Sequence, residues 1–167
     1  PDSVQRIRIE NAKTLKYIEQ DGRKIRKLIG DVRFRHKGMS MQCDSAYQLQ
    51  NANRIRTYSN VHINQGDTLH LYGSFLRYNG NTRKAVVKKA VKLRETTEAI
   101  TLTTDTLYYN MANERAYYLT GGRIVDSAST LTSEKVYYRT TKKRFAFADS
   151  VQLVNPSYTM RSDTLVY

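Results

Sequence analysis

Apolar and polar residues alternate with a period of two along most of the chain. Val32-Arg33-Phe34-Arg35, Val61-His62-Ile63, Val91-Lys92-Leu93-Arg94 and Val151-Gln152-Leu153 each put apolar side chains on one face and polar ones on the other. Such alternation predicts half-buried β-strands. No stretch reads as an amphipathic helix, and residues 1–27 read as strand or as a frayed start. Turn formers separate the strands at His36-Lys37-Gly38, Gln65-Gly66-Asp67, Asp126 to Ser129 and Asn155-Pro156-Ser157. A second set falls at Asn51-Ala52-Asn53, Asn79-Gly80-Asn81, Asn110 to Asn113 and Thr140 to Lys143. Connections this short predict antiparallel hairpins.

The alternation is organised by a repeat. Thr103-Thr104-Asp105-Thr106-Leu107-Tyr108-Tyr109 returns in weaker form around positions 44, 74, 134 and 163, at steps of 30, 31, 29 and 29 residues. Three residues before each anchor stand Met41, Leu71, Leu102, Leu131 and Met160; two after it stand Ala46, Leu76, Leu107, Val136 and Leu165. Four after it stand Gln48, Tyr78, Tyr109, Tyr138 and Tyr167, and just before it the small residues Cys43, Gly73, Thr104, Ser133 and Ser162. A weaker copy has Lys13 as anchor, with Leu15 and Tyr17 in their slots and a one-residue slip at Ile9. A fixed period of this size marks a repeat architecture.

Register follows from face consistency. Ile63 against Leu69 and Val61 against Leu71 keep four apolar side chains on one face; Leu153 against Tyr158 and Val151 against Met160 do the same. The two apolar columns flanking each anchor lie five residues apart, an odd spacing that changes face unless the strand bends. The small residues mark that bend. We therefore expect a corner at each anchor, with Asp44, Asp105, Glu134 and Asp163 on its outer side. Two facing antiparallel sheets follow, extended along one axis, with open strand edges at both ends.

Composition narrows the function. The 167 residues suffice for one domain, 1–167, with a sizeable core. The start at Pro1 and the end in mid-repeat at Tyr167 lead us to expect a piece of a longer chain. A net charge of +13 favours an anionic partner. One cysteine, Cys43, permits no internal disulfide, and no apolar run approaches membrane-spanning length. The basic runs Arg83-Lys84 with Lys88, Lys89, Lys92 and Arg94, and Arg23 to Lys37 interrupted by Asp31, read first as solvated faces. Lys92, Arg94, Arg33 and Arg35 point outward by alternation.

Catalytic constellations are missing. There is no nucleophile–base pair, phosphate loop or Cys/His ligand cluster, so no enzyme, metal or cofactor is expected. His62 and His70 fall opposite each other in the pairing above, without a third ligand; His36 sits in a turn with no evident partner. The tyrosine column is explained by cross-strand packing. Tyrosine beside arginine also suits single-stranded nucleic acid.

The pattern apolar-x-x-acidic-x-Leu-x-Tyr, seen as Leu102-Thr103-Thr104-Asp105-Thr106-Leu107-Tyr108-Tyr109, followed by Gly-x-Val strands such as Gly30-Asp31-Val32, resembles the OstA-like family over roughly residues 28–167. Gly122 stands likewise before Ile124, whereas Ser59, Lys89 and Asp149 replace the glycine elsewhere. The resemblance implies an all-β, elongated antiparallel β-jellyroll, taco-like and open along one side. It implies a non-enzymatic periplasmic role in outer-membrane biogenesis of a Gram-negative envelope. The groove would shelter acyl chains of lipopolysaccharide, and other jellyrolls would dock end to end by strand pairing. Met41, Leu71, Leu76, Leu102, Leu107, Leu131 and Val136 would line it, with Met160, Leu165, Val61, Ile63, Val91, Leu93 and Val151. Two other readings stay open: a basic scaffold binding nucleic acid or another polyanion through its outer face, and a structural module that only pairs end to end.

Overall fold

The computed structural model describes residues 5–167; Pro1, and with it the expectation about the chain's start, lies outside the described residues. The first half holds β1 (Arg8–Asn11), β2 (Thr14–Gln20), β3 (Arg23–His36), β4 (Met39–Leu49), β5 (Arg54–Gln65) and β6 (Leu69–Asn79). Then come β7 (Lys84–Glu95), β8 (Ile100–Asn110), β9 (Arg115–Tyr118) and β10 (Gly122–Val125). The last are β11 (Thr130–Ser133), β12 (Lys135–Arg139), β13 (Arg144–Val154) and β14 (Thr159–Val166). All fourteen belong to one antiparallel sheet, and the described residues include no helix.

That sheet is folded in half lengthwise. On one side of each fold the strands carry two extra residues in left-handed conformation: Gly30-Asp31, Ser59-Asn60, Lys89-Ala90 and Asp149-Ser150. Each pair is a bulge opposite a single anchor residue, as where Tyr58↔Phe75 is followed by Val61↔Gly73 across Ser74. A bulge bends its strand and increases twist, so a row of bulges creases the sheet. Lys13 takes the same position in the weaker copy, its amide donating to the Gly30 carbonyl at 2.9 Å. The slip at Ile9 is a register shift there, and Ile9 pairs with Phe34. Asp44, Ser74, Asp105, Glu134 and Asp163 are exposed along the crease.

The small column lies inside the crease, where the two halves converge. A Cβ on Gly73 would sit 2.4 Å from Val87 Cγ1. The hydroxyl of Thr104 donates to the Gly121 carbonyl at 2.7 Å. Only small or locally hydrogen-bonded side chains fit there.

Two walls result, joined along this spine. The tyrosine wall contains residues 14–29, 45–58, 75–88, 106–118 and 135–148; the valine wall contains 32–43, 61–73, 91–104, 122–133 and 151–162. The expected facing sheets are therefore one sheet whose strands run through both walls.

Two expected registers differ from the structure by two residues. Ile63 pairs with Leu71 and Val61 with Gly73; Leu153 pairs with Met160 and Val151 with Ser162. The side chains of the turns explain the difference. Asn64 Oδ1 accepts from the Asp67 amide, and Asn155 Oδ1 from the amides of Ser157 and Tyr158. These Asx turns centre each hairpin one residue further along the chain than expected. A shift of two preserves faces, so the apolar sets still point inward.

Candidate functional site

The interior between the walls is a continuous apolar strip. Met41, Leu71, Leu102 and Leu131 from the valine wall meet Ala46, Leu76, Leu107 and Val136 from the tyrosine wall in one core. Val61, Ile63, Val91, Leu93 and Val151 belong to the same core, and Leu102 is 0 % exposed. Each such fully buried Leu or Val contributes about 1.5–3 kcal/mol. Aromatics fill the strip at one end, where Tyr138 and Phe145 stack with centroids 4.1 Å apart. The strip is thus shut against solvent here, unlike the open-sided groove that the sequence led us to expect. Met160 differs from its column: it is 37 % exposed, and Leu165 is only partly buried. Both lie on β14, which pairs with β13 alone.

What shuts the strip is the edge opposite the spine, where the turns of the two walls meet. No β-ladder joins β3–β7 of one wall to the other at this edge; side chains do. The Tyr78 hydroxyl donates to His36 Nδ1 at 2.6 Å, while His36 Nε2 donates to the Gln5 carbonyl at 2.9 Å. The Tyr109 hydroxyl donates to Gln65 Oε1 at 2.6 Å. The Tyr167 hydroxyl donates to Asp126 Oδ2. Gln48, in the tyrosine column, donates to the Ile7 carbonyl at 3.3 Å. The column expected to pack across strands is therefore a row of latches along a seam.

One latch is different. Glu95, at the position corresponding to His36 and Gln65, is buried, but its carboxylate accepts from the Thr97 hydroxyl and from the Glu98 amide at 2.7 Å. Lys143 of the other wall approaches it at 3.8 Å and Glu98 at 3.2 Å. Among the described residues the buried Tyr138 hydroxyl has no hydrogen-bond partner. A cavity of about 360 Å³ opens at this point of the seam, lined by Glu95, Tyr109, Glu114 and Lys143 among others.

Protonation follows from these surroundings. Burial lowers the His36 pKa below its ordinary 6.5, and acceptance from Tyr78 requires the neutral ring. Burial alone would raise Glu95, but the hydrogen bonds from Thr97 and Glu98 and the charge of Lys143 outweigh it and hold the carboxyl low. Burial pushes the Tyr78 phenol up to about 12.

Other candidates resolve differently. His36 ends β3, buried, rather than occupying a turn without a partner. His62 pairs with Tyr72, so it meets His70 diagonally: His62 Nε2 and His70 Nδ1 are 3.0 Å apart. His70 Nε2 donates to the Asp67 carbonyl, which makes His70 Nδ1 the acceptor for His62. Hydrogen bonding thus uses the nitrogens that would face a metal, and no group of three potential metal ligands exists among the described residues. Burial raises the Cys43 thiol to about 12, which leaves it an inert core residue. Arg33, Arg35, Lys92 and Arg94 are exposed.

Fold and interior define a class: an elongated antiparallel jellyroll of short repeats, creased on one edge and latched on the other. The chain belongs to the OstA-like protein family, whose profile matches residues 4–163. Members of that family are non-enzymatic transport proteins. The fold is similar to that of LptH from Pseudomonas aeruginosa, the LptA-homologous periplasmic component of a lipopolysaccharide transport device. The TM-score is 0.63 at 14 % identity, covering 70 % of this chain and 93 % of LptH. No curated protein matches the chain.

Proposed function

We propose that the protein binds lipopolysaccharide, or a lipid of the same chemistry, and passes it on within the periplasm during outer-membrane biogenesis. The acyl chains enter between the walls through the seam. The observation that carries this reading is the asymmetry of the two edges around a continuous apolar strip: backbone closes one, a few side-chain hydrogen bonds the other. Opening the seam exposes the buried apolar side chains of the strip, and each acyl methylene that replaces their contacts contributes roughly 0.8 kcal/mol. Pairing the walls and lining a chain are alternative uses of one surface.

Partners of the same build would dock at the ends. Leu15 and Tyr17 on β2, and Met160 and Val166 on β14, continue the sheet's side-chain rows into solvent, with Tyr17 and Val166 each 66 % exposed. An added strand would cover them and satisfy the edge amides.

The test is titration of the purified chain with lipopolysaccharide and with its lipid A portion. Saturable binding, blocked when Gln65→Cys and Tyr109→Cys are bridged by a bifunctional thiol reagent with an internal disulfide in a Cys43→Ala background and restored by reduction, is expected. Absence of saturable binding by the unmodified chain overturns the reading.

A further inference from the structure

The outer face of the tyrosine wall has no role in that reading, yet it is the more unusual surface. Following the register across strands, one outward row runs Arg54↔Asn79↔Lys84↔Asn110↔Arg115↔Arg139↔Arg144. Arg115 is directly opposite Arg139, and Arg139 opposite Arg144. Like charges in direct cross-strand pairs are destabilising. Among the described residues no carboxylate forms a salt bridge with Lys84, Arg115, Arg139 or Arg144. The repulsion is left for an anion from outside to relieve.

The neighbouring row supplies an aromatic floor. Tyr108, Tyr117 and Tyr137 are consecutive partners and stack, with centroids 5.0 and 5.9 Å apart and interplanar angles of 14° and 28°. The row then reaches Ala146, opposite Tyr137, and Val166 beyond it. Ala146 leaves a gap one ring wide between Tyr137, 49 % exposed, and Val166. These residues and the part of the row from Lys84 to Arg144 line a concavity of about 880 Å³.

The geometry also selects among anions. Single-stranded nucleic acid stacks successive bases on separate aromatic faces. Here the tyrosines are too close together to admit a base between them, so their inner faces are already used. The free face of Tyr137 accommodates a single ring.

We propose that this concavity binds a phosphorylated saccharide: one pyranose ring lies over Ala146 with its C–H face on Tyr137, and its phosphate lies between Arg139 and Arg144. Arg115 and Lys84 extend the anionic subsite along the wall. Choosing a saccharide to carry the phosphate rests on the lipopolysaccharide reading; the aromatic gap and the unrelieved cations do not. The site is on the far side of the wall from the apolar strip, so it acts independently of acyl chains.

The experiment uses the whole chain and lipopolysaccharide fully deacylated by alkali, which keeps the sugar phosphates and loses every acyl chain. Calorimetric titration is expected to give saturable binding. Arg139→Gln with Arg144→Gln, and separately Tyr137→Ala, are expected to weaken it at least tenfold, while binding by the same variants of lipid A stripped of its phosphates stays within twofold of the parent. Phosphatase treatment of the saccharide is expected to abolish binding. The proposal is overturned if the deacylated saccharide does not bind, if removing its phosphates changes nothing, or if a single-stranded oligonucleotide of equal charge binds as well. Failure of the dephosphorylated lipid A alone to bind would overturn the acyl-chain reading and leave this site standing.

Discussion

The two long edges of the folded sheet solve one problem in opposite ways. At the spine the backbone crosses from wall to wall, bent by paired left-handed residues and held by ladder hydrogen bonds on either side. At the seam isolated side chains meet: His36 with Tyr78, Gln65 with Tyr109, Asp126 with Tyr167. A crease of this kind opens only by unfolding. A latch itself is one hydrogen bond, about 1 kcal/mol net; the larger cost of opening is the apolar area behind it. The proposed uptake of acyl chains therefore assigns its opening to the seam.

The comparison can be broken first at what both edges share. Leu102→Ala empties a section of the strip and should lower stability by about 3–5 kcal/mol in denaturant titration. If the loss is much smaller, the walls are not packed through it. At the spine, Gly73→Ala forces a Cβ to 2.4 Å from Val87 Cγ1 and should cost about 1–3 kcal/mol. At the seam, Tyr78→Phe orphans His36 Nδ1 and should cost about 1–2 kcal/mol. Tyr138→Phe, which removes a hydroxyl without a partner, should be neutral or slightly stabilising. Equal losses from the two phenylalanine variants would contradict the latch assignment.

Acid should act on the seam before the spine. The folded-state pKa of His36 is below the ordinary 6.5, so between those values the unfolded chain holds more protons. Its contribution to stability is complete above pH 6.5 and declines as pH falls from there toward the folded value. Glu95 and Asp126, held below their ordinary 4.5 and 3.8, add a second loss at lower pH. Thermal unfolding should show a lower Tm at about pH 5.5 than at about pH 7.5, with a smaller difference in His36→Gln. Last and smallest, Lys89→Gly relieves a left-handed lysine (φ 67°) at the spine and should stabilise by roughly 0.5 kcal/mol, measured in the same titration.

Much of this plan is legible in the residues. Period-two alternation reveals the strands, and the odd five-residue spacing across each anchor places the crease, because a pleated strand cannot keep one face inward over an odd step without a bulge. The Asx turns at Asn64 and Asn155 are harder to read, since either of two hairpin registers keeps the same faces inward. The seam is hidden for another reason. Only its tyrosine half is periodic in residue type; its other half is His36, Gln65, Glu95 and Asp126, four different residues at steps of 29, 30 and 31. A search for polar residues at fixed phase, rather than for identity, would expose them. The arginine and tyrosine rows of the outer face cross several hairpins and align only once register is known.

Each latched tyrosine, Tyr78, Tyr109 and Tyr167, reaches back 41 to 44 residues to its partner, more than one repeat. The ties 36–78 and 65–109 therefore overlap like staggered bricks, while 126–167 stands apart from them because Tyr138 makes no tie. Where ties overlap, pulling two neighbouring repeats apart means shearing a tie as well as a strand ladder; the gap at Tyr138 is the joint that only the ladder and the core hold.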